Sequence, residues 1–220
     1  MGGLRSVASE LAGTFALTLA GAGAACLGLG SLGYALAYAA GTAAAYYAFP
    51  GPASRFNPAL TLADLALKRA GVLRSVLALA AQLLGAACAG LFLRAVLEGG
   101  RPDLLVGAGA LGACAPLGIG YRAATLIEAV LTFFLACAAA ASQTPRRRAT
   151  GPLLLGAATL FGALVGGPLT GGAMNPARAF GPAVAAGRWS RHYVYWVGPL
   201  AGAVLAALLA PTLVSEENRP

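Results

Sequence analysis

Asn57-Pro58-Ala59-Leu60 and Gly171-Gly172-Ala173-Met174-Asn175-Pro176-Ala177-Arg178 share an Asn-Pro-Ala core, and the two asparagines stand 118 residues apart. Taken singly, Asn-Pro is a good helix start: Asn caps the first turn, and Pro fits the first helical position because its missing N–H has no partner there. The surroundings repeat as well. Glu10-Leu-Ala-Gly-Thr-Phe-Ala-Leu17 matches Glu128-Ala-Val-Leu-Thr-Phe-Phe-Leu135 at the same offset of 118, and so does Pro50 with Pro168. Each half carries a Glu early in its first apolar stretch and an Asn-Pro-Ala 47 residues later. One unit spans about residues 1–100 and the other about 118–214, within a single domain over 1–220.

The stretches between these marks are long and greasy. Hydrophobic residues make up 59% of the 220 residues and charged residues 10%, and the mean hydropathy is +0.76. Soluble domains carry about 25% charged residues, so an ordinary soluble enzyme is excluded and a polytopic membrane protein remains. A span needs roughly 20 residues to cross the hydrocarbon layer. Six fit: Leu4–Leu29, Leu32–Phe49, Val72–Leu97, Ala123–Ala141, Leu153–Gly166 and Arg191–Val214. Two pieces, Pro58–Leu67 and Pro176–Ala186, are too short to cross, and each opens on an Asn-Pro after a Pro-containing break, Pro50-Gly51-Pro52 or Gly167-Pro168. The expected fold is an all-α membrane protein of six transmembrane helices plus two re-entrant half-helices. Three spans per half is odd, so the second half enters the membrane upside down, as an inverted 3+3 repeat.

Inversion brings the two half-helices in from opposite faces, N-termini meeting near the midplane. Non-spanning helices are tolerable there only where they are buried in protein or line a water-filled cavity. Each N-terminus carries roughly +0.5 charge and unpaired N–H groups, and the amides of Asn57 and Asn175 can donate to a passing molecule. Such a centre repels cations and turns a water's hydrogens away from its neighbours, which breaks a proton wire. The chemistry that follows is passive passage of water and small neutral solutes. Glu10 and Glu128 are costly intramembrane carboxylates; they read either as part of a proton-coupled transporter or as acceptors holding the half-helix loops, and their symmetry favours the second.

The charge of +8, from 15 Lys+Arg against 7 Asp+Glu, lies mostly between apolar runs. It reads as a topology signal and not as a nucleic-acid surface. Arg5, Arg55, Lys68, Arg69, Arg74, Arg146, Arg147, Arg148 and Arg219 share one side, which puts both termini in the cytoplasm. Cys26, Cys88, Cys114 and Cys137 form no closely spaced pair and read as small core residues, neither disulfides nor metal ligands. With a single histidine, His192, read as an outer-interface anchor, neither an enzyme nor a cofactor or metal is expected. Asp64 and Lys68, four apart, are expected to pair on the first half-helix.

These motifs resemble the aquaporin family over the whole chain. The most specific stretch is Gly171-Gly-Ala-Met-Asn-Pro-Ala-Arg-Ala-Phe-Gly-Pro-Ala183. With Tyr193-Val-Tyr-Trp-Val-Gly-Pro199 it is most similar to the animal aquaporin-eight branch, with plant vacuolar aquaporins next, and short Ala/Gly/Arg-rich loops suggest a bacterial inner membrane. The resemblance implies that Arg178 lines a narrow outer selectivity filter; the first repeat has Leu60 in that register. It further implies Ala163 and Gly172 in the filter, with Tyr38 if one residue is missing before Asn57, or Ala37 without that gap. The alternative for Tyr38 is packing between helices, with backbone atoms forming the filter. Water-strict members are similar but bulkier at two of these positions, so water conduction with ammonia and hydrogen peroxide as further solutes is implied. A glycerol facilitator of the same fold is the other reading; Ala179 directly after Arg178, and Tyr195-Trp196, favour the water-type branch. Arg55, in Ala53-Ser54-Arg55-Phe56, replaces the family's His and reads as a cytoplasmic gate or as a local positive-inside residue. A homotetramer in the lipid bilayer, with one pore per subunit, is implied by the resemblance alone.

Overall fold

A computed structural model of the chain describes residues 2–51, 54–105 and 110–214. Pro52, Ala53 and the polar tail with Arg219, all used in the sequence reading, lie outside the described residues. The described residues fold into eight α-helices: α1 Gly2–Cys26, α2 Gly30–Ala48, α3 Pro58–Ala66, α4 Val72–Glu98, α5 Tyr121–Ser142, α6 Gly151–Thr170, α7 Pro176–Ala186 and α8 Val194–Leu213. Six are long. At a rise of about 1.5 Å per residue, the 9 residues of α3 and the 11 of α7 cover only about half of a 30 Å hydrocarbon layer.

Five of the long helices are long and apolar enough to cross a membrane. The sixth, α2, has 19 residues, among them Tyr34, Tyr38, Tyr46 and Tyr47. Those tyrosines lower its hydropathy, and each donates its hydroxyl to a backbone carbonyl elsewhere in the chain. The protein is therefore a multi-pass membrane protein with one span that buries Tyr34 and Tyr38. Leucines outside the core, such as Leu73, Leu126 and Leu208, are exposed. In water they would form an apolar surface; in a bilayer they meet acyl chains.

Within each half the first long helix packs on the other two: α1 on α2 and α4, α5 on α6 and α8. The short helices cross over, α3 packing on α8 and α7 on α4, so each is gripped by the last long helix of the opposite half. Glycine permits the closest approach. A Cβ at Gly181 of α7 would overlap the Ala86 carbonyl of α4, and one at Gly90 of α4 would overlap the Gly181 carbonyl. Small residues here let backbones touch where lipid offers no hydrophobic drive for helix association.

One boundary departs from the sequence reading. Gly167-Pro168 is not a break: α6 runs through it to Thr170. A proline in the last turn forfeits one intrahelical bond, and α6 instead stops at Gly171, whose φ of 89° closes the helix in the left-handed region. Arg5, Arg55, Arg69, Arg74 and Arg148 line cavities at one end of the bundle, here called the basic end. Gly28, Cys114, Leu117 and Arg178 line a cavity at the other end.

Candidate functional site

The site grows from the two Asn-Pro-Ala helix starts, which come from opposite halves of the chain. Asn57 caps α3 by accepting from Ala59 N at 2.9 Å; Asn175 caps α7 by accepting from Ala177 N at 3.0 Å and Arg178 N at 3.4 Å. Pro58 and Pro176 take the first helical positions, and Ala59 and Ala177 behind them are fully buried. Each amide then reaches across. Asn57 Nδ2 donates to the Met174 carbonyl at 2.9 Å, and Asn175 Nδ2 donates to the Phe56 carbonyl at 2.8 Å. Each Nδ2 carries two hydrogens, so one N–H per asparagine is left over after this reciprocal pair.

The residues just before the asparagines are strained. Phe56 and Met174 hold φ of 50° and 53°, a region that costs a residue with a Cβ roughly 1–2 kcal/mol. Carboxylates hold them there. Glu10 accepts from Arg55 N (Oε1, 2.8 Å) and Phe56 N (Oε2, 2.8 Å). Glu128 accepts from Ala173 N (Oε1, 3.0 Å) and Met174 N (Oε2, 2.7 Å). These acceptor pairs sit at the same 118-residue offset as the motifs. The supports beside them differ: Gln82 Nε2 donates to Glu10 at 2.9 Å, whereas Thr170 Oγ1 donates to Glu128 at 2.6 Å. Both carboxylates are buried, 1% and 0% exposed, and their oxygens are spent on donors within the protein.

Arg178 lies in the first turn of α7 and is 1% exposed. Its Nη1 donates to the Gly112 carbonyl at 2.9 Å and contacts Cys114 Sγ at 2.7 Å. Its guanidinium carbon sits over the rings of Tyr34 and Tyr38, 5.6 and 5.7 Å from the centroids. Tyr38 is thus beside Arg178, with its hydroxyl donating to the Ala173 carbonyl at 2.9 Å, while Ala37 is a partly buried residue packed against the core. Ala163 is fully buried in one cluster with Tyr38 and Met174. At Gly172 an added Cβ would meet the α6 backbone at Gly167 N, 2.9 Å away, and its carbonyl accepts from Tyr34 Oη at 3.4 Å. Gly172 contributes backbone here, and any side chain would push into α6.

A family profile described as Major intrinsic protein matches residues 1–210. The chain belongs to the major intrinsic protein family. Among its relatives, Aquaporin TIP4-4 of Zea mays is 47% identical over 158 residues, which is 70% of this chain and 59% of that protein. Probable aquaporin TIP3-2 of Oryza sativa subsp. japonica is 40% identical over 193 residues, 86% of this chain and 69% of that protein. The first of these matches spans less than two thirds of its relative. Among solved structures, the aquaglyceroporin from Plasmodium falciparum superposes with a TM-score of 0.78, covering 96% of each chain. At 19% identity that likeness shows a shared aquaporin-type fold.

Two residues of this major intrinsic protein beside Arg178 escaped the sequence reading. Tyr34 is one turn before Tyr38, on the same face of α2, and that spacing was the available signal. Cys114 sits between α4 and α5, outside the repeated segments, and nothing in its neighbours marks it. It is no small core residue as expected: it is partly exposed and lines the cavity opposite the basic end, and the same expectation fails at Cys88, which is exposed on α4. At the basic end, Arg55 Nε pairs with Asp64 Oδ2 at 2.6 Å. This replaces the expected Asp64–Lys68 pair; Lys68 follows the end of α3 with a φ of 56°, off the helix face that Asp64 occupies. Arg55 lines a cavity of about 350 Å³ with Leu60, Asp64 and Arg69. His192 packs its ring against Phe180, Trp189 and Tyr195.

Proposed function

We propose that the protein is a passive channel for water and other small neutral solutes such as ammonia and hydrogen peroxide, and that it excludes protons and ions. The observation that carries this reading is the reciprocal pair at the centre, with one uncommitted N–H on each of Asn57 and Asn175. A water passing there offers its oxygen to both amides, so its hydrogens point away from each other along the file and no proton is relayed. The N-terminal dipoles of α3 and α7 point at the same place and oppose cations. Glu10 and Glu128 act as supports for the two loops. They take no part in proton coupling, because backbone and side-chain donors occupy their oxygens.

In this reading Tyr38, Ala163, Gly172 and Arg178 form the selectivity filter. Arg178 supplies donors and positive charge, Tyr38 an aromatic wall, Gly172 backbone atoms, and Ala163 a small side chain. Arg55 narrows the basic mouth and is held in place by Asp64. The concentration of Arg and Lys at that mouth supports a cytoplasmic location for it, and for both termini, in a cell membrane. Family membership supports a homotetramer with a pore in each subunit.

Stopped-flow light scattering on one proteoliposome preparation tests the reading. Water, ammonia and peroxide rates above those of empty liposomes, with low glycerol flux and no proton leak, are expected. A glycerol rate equal to the water rate would make the protein a polyol facilitator. Flux that requires an ion gradient would end the channel reading.

A further inference from the structure

Two cavities at the basic end share an arginine. The first, of about 700 Å³, is lined by Arg5, Ser6, Ser9 and Arg74 among others. The second, of about 450 Å³, runs between α1 and α4 and is mostly apolar, from Val7, Leu73, Leu77 and Ala78. Ser6 and Arg74 line both. Two neighbouring arginines are already engaged: Arg55 pairs with Asp64, and Arg69 Nη2 donates to the Ala207 carbonyl at 2.8 Å. Among the described residues, the guanidiniums of Arg5 and Arg74 have no carboxylate or carbonyl partner. Glu10 also lines the second cavity, but its oxygens accept from Arg55 N, Phe56 N and Gln82 Nε2.

Depth puts this junction at the membrane surface. Arg74 and Arg94 are the two arginines of α4, 20 residues apart, which is about 30 Å along the helix and matches the hydrocarbon thickness. Arg74 therefore lies at the level of lipid phosphates at the basic end. Leu77 and Ala78 lie one turn deeper, at the level of acyl chains. Leu73 and Leu77 are exposed, so the groove opens sideways to lipid.

We propose that this junction binds an anionic phospholipid of the basic-end leaflet, with its phosphate against Arg5, Ser6 and Arg74 and one acyl chain in the groove between α1 and α4. Two unpaired guanidiniums beside one hydroxyl match a phosphate in charge and in donors. A zwitterionic headgroup brings its own cation and gains less from them. A soluble anion gains the charge but leaves the apolar groove unfilled. The site is independent of the channel reading above; it needs only a multi-pass membrane protein. Arg74 also borders the basic mouth, so the test reads lipid binding and not solute flux.

The full-length protein in detergent is titrated with phosphatidylglycerol or with phosphatidylcholine of the same chains, and bound lipid is counted by native mass spectrometry. The expected result is tighter retention of phosphatidylglycerol, weakened about fivefold by Arg5→Gln and by Arg74→Gln. Arg122→Gln, at an exposed arginine beginning α5, the inverted counterpart of α1, should leave it within twofold. Phosphatidylglycerol with a diazirine in one chain is expected to crosslink to peptides holding Val7 or Leu73–Ala78. Equal retention of the two lipids, or an equal loss in Arg122→Gln, would overturn the site. Crosslinks confined to other helices would overturn the groove. Displacement by millimolar inorganic phosphate as complete as by short-chain phosphatidylglycerol would make it a free-phosphate site and overturn the lipid. If Arg74→Gln does not fold, Arg5→Gln and the crosslink positions decide in its place.

Discussion

The two halves agree at the centre and part company toward the mouths. At the centre they correspond residue for residue: a glutamate accepts two backbone N–H groups, a non-glycine residue sits in the left-handed region, and an asparagine caps a short helix. Further out, an arginine stands close to each Asn-Pro-Ala, at a different register. Arg178 follows its asparagine by three residues, is buried, and faces rings, a carbonyl and a thiol. Arg55 precedes its asparagine by two and faces a carboxylate. The frame is under one constraint in both halves, since the same backbone donors must be satisfied in a membrane. The surroundings of these two arginines are under different constraints: among the described residues no carboxylate pairs with Arg178, whereas Arg55 pairs with Asp64.

The largest effect is expected where the halves agree. Glu10→Ala or Glu128→Ala leaves two buried backbone N–H groups without acceptors, each worth about 1–3 kcal/mol. We expect each variant to lower the melting temperature in detergent by about 10 °C. The pairing is broken if one variant melts like the unsubstituted protein while the other collapses. Gln82→Ala and Thr170→Val, which remove the unlike supports, should each cost less than the parent glutamate.

Much of this frame was legible because it is repeated. A fixed 118-residue offset linking Glu10 with Glu128 and Asn57 with Asn175 turns two ordinary helix caps into one centre, and the short length of α3 and α7 follows from counting. The helix ends at Pro58 and Pro176 were readable from the caps alone. What was not legible lies where the repeat stops. Cys114 reaches Arg178 from the link between α4 and α5, a contact 64 residues apart in sequence with no periodic signal. Pro168 misled because a proline in the last helical turn costs little, and the true stop is the glycine three residues later. The Arg55–Asp64 pair competed with a local Asp64–Lys68 pair, and the backbone turn at Lys68 decided between them.

The second effect separates the mouths by selectivity. Arg178→Val removes the buried charge from the proposed filter, and glycerol flux is expected to rise about tenfold, with a measurable proton leak. Leu60 occupies the matching register in the first half. Leu60→Val should leave the ratio of glycerol to water rates within about twofold of its original value. A similar change in that ratio from both substitutions would mean that selection is shared between the halves and not placed at one end.

The smallest effect is at the basic mouth. Arg55 and Asp64 are 19% and 18% exposed, so their pair is partly solvated and contributes under about 1 kcal/mol to stability. Its consequence is geometric. Asp64→Asn releases the guanidinium, which then samples the cavity instead of lying on α3, and water flux is expected to change by about twofold and to depend on salt as an unpaired surface charge does. Arg55→Ala empties the mouth and should raise the rate by a similar factor while leaving the glycerol-to-water ratio alone. That split is the sharpest statement of the comparison: substitutions at Arg178 change which solutes pass, and substitutions at Arg55 change only how fast they pass. An unchanged water rate in Arg55→Ala would reduce Arg55 to a topology signal held by a local pair, and the basic mouth would then be wide enough to set no limit.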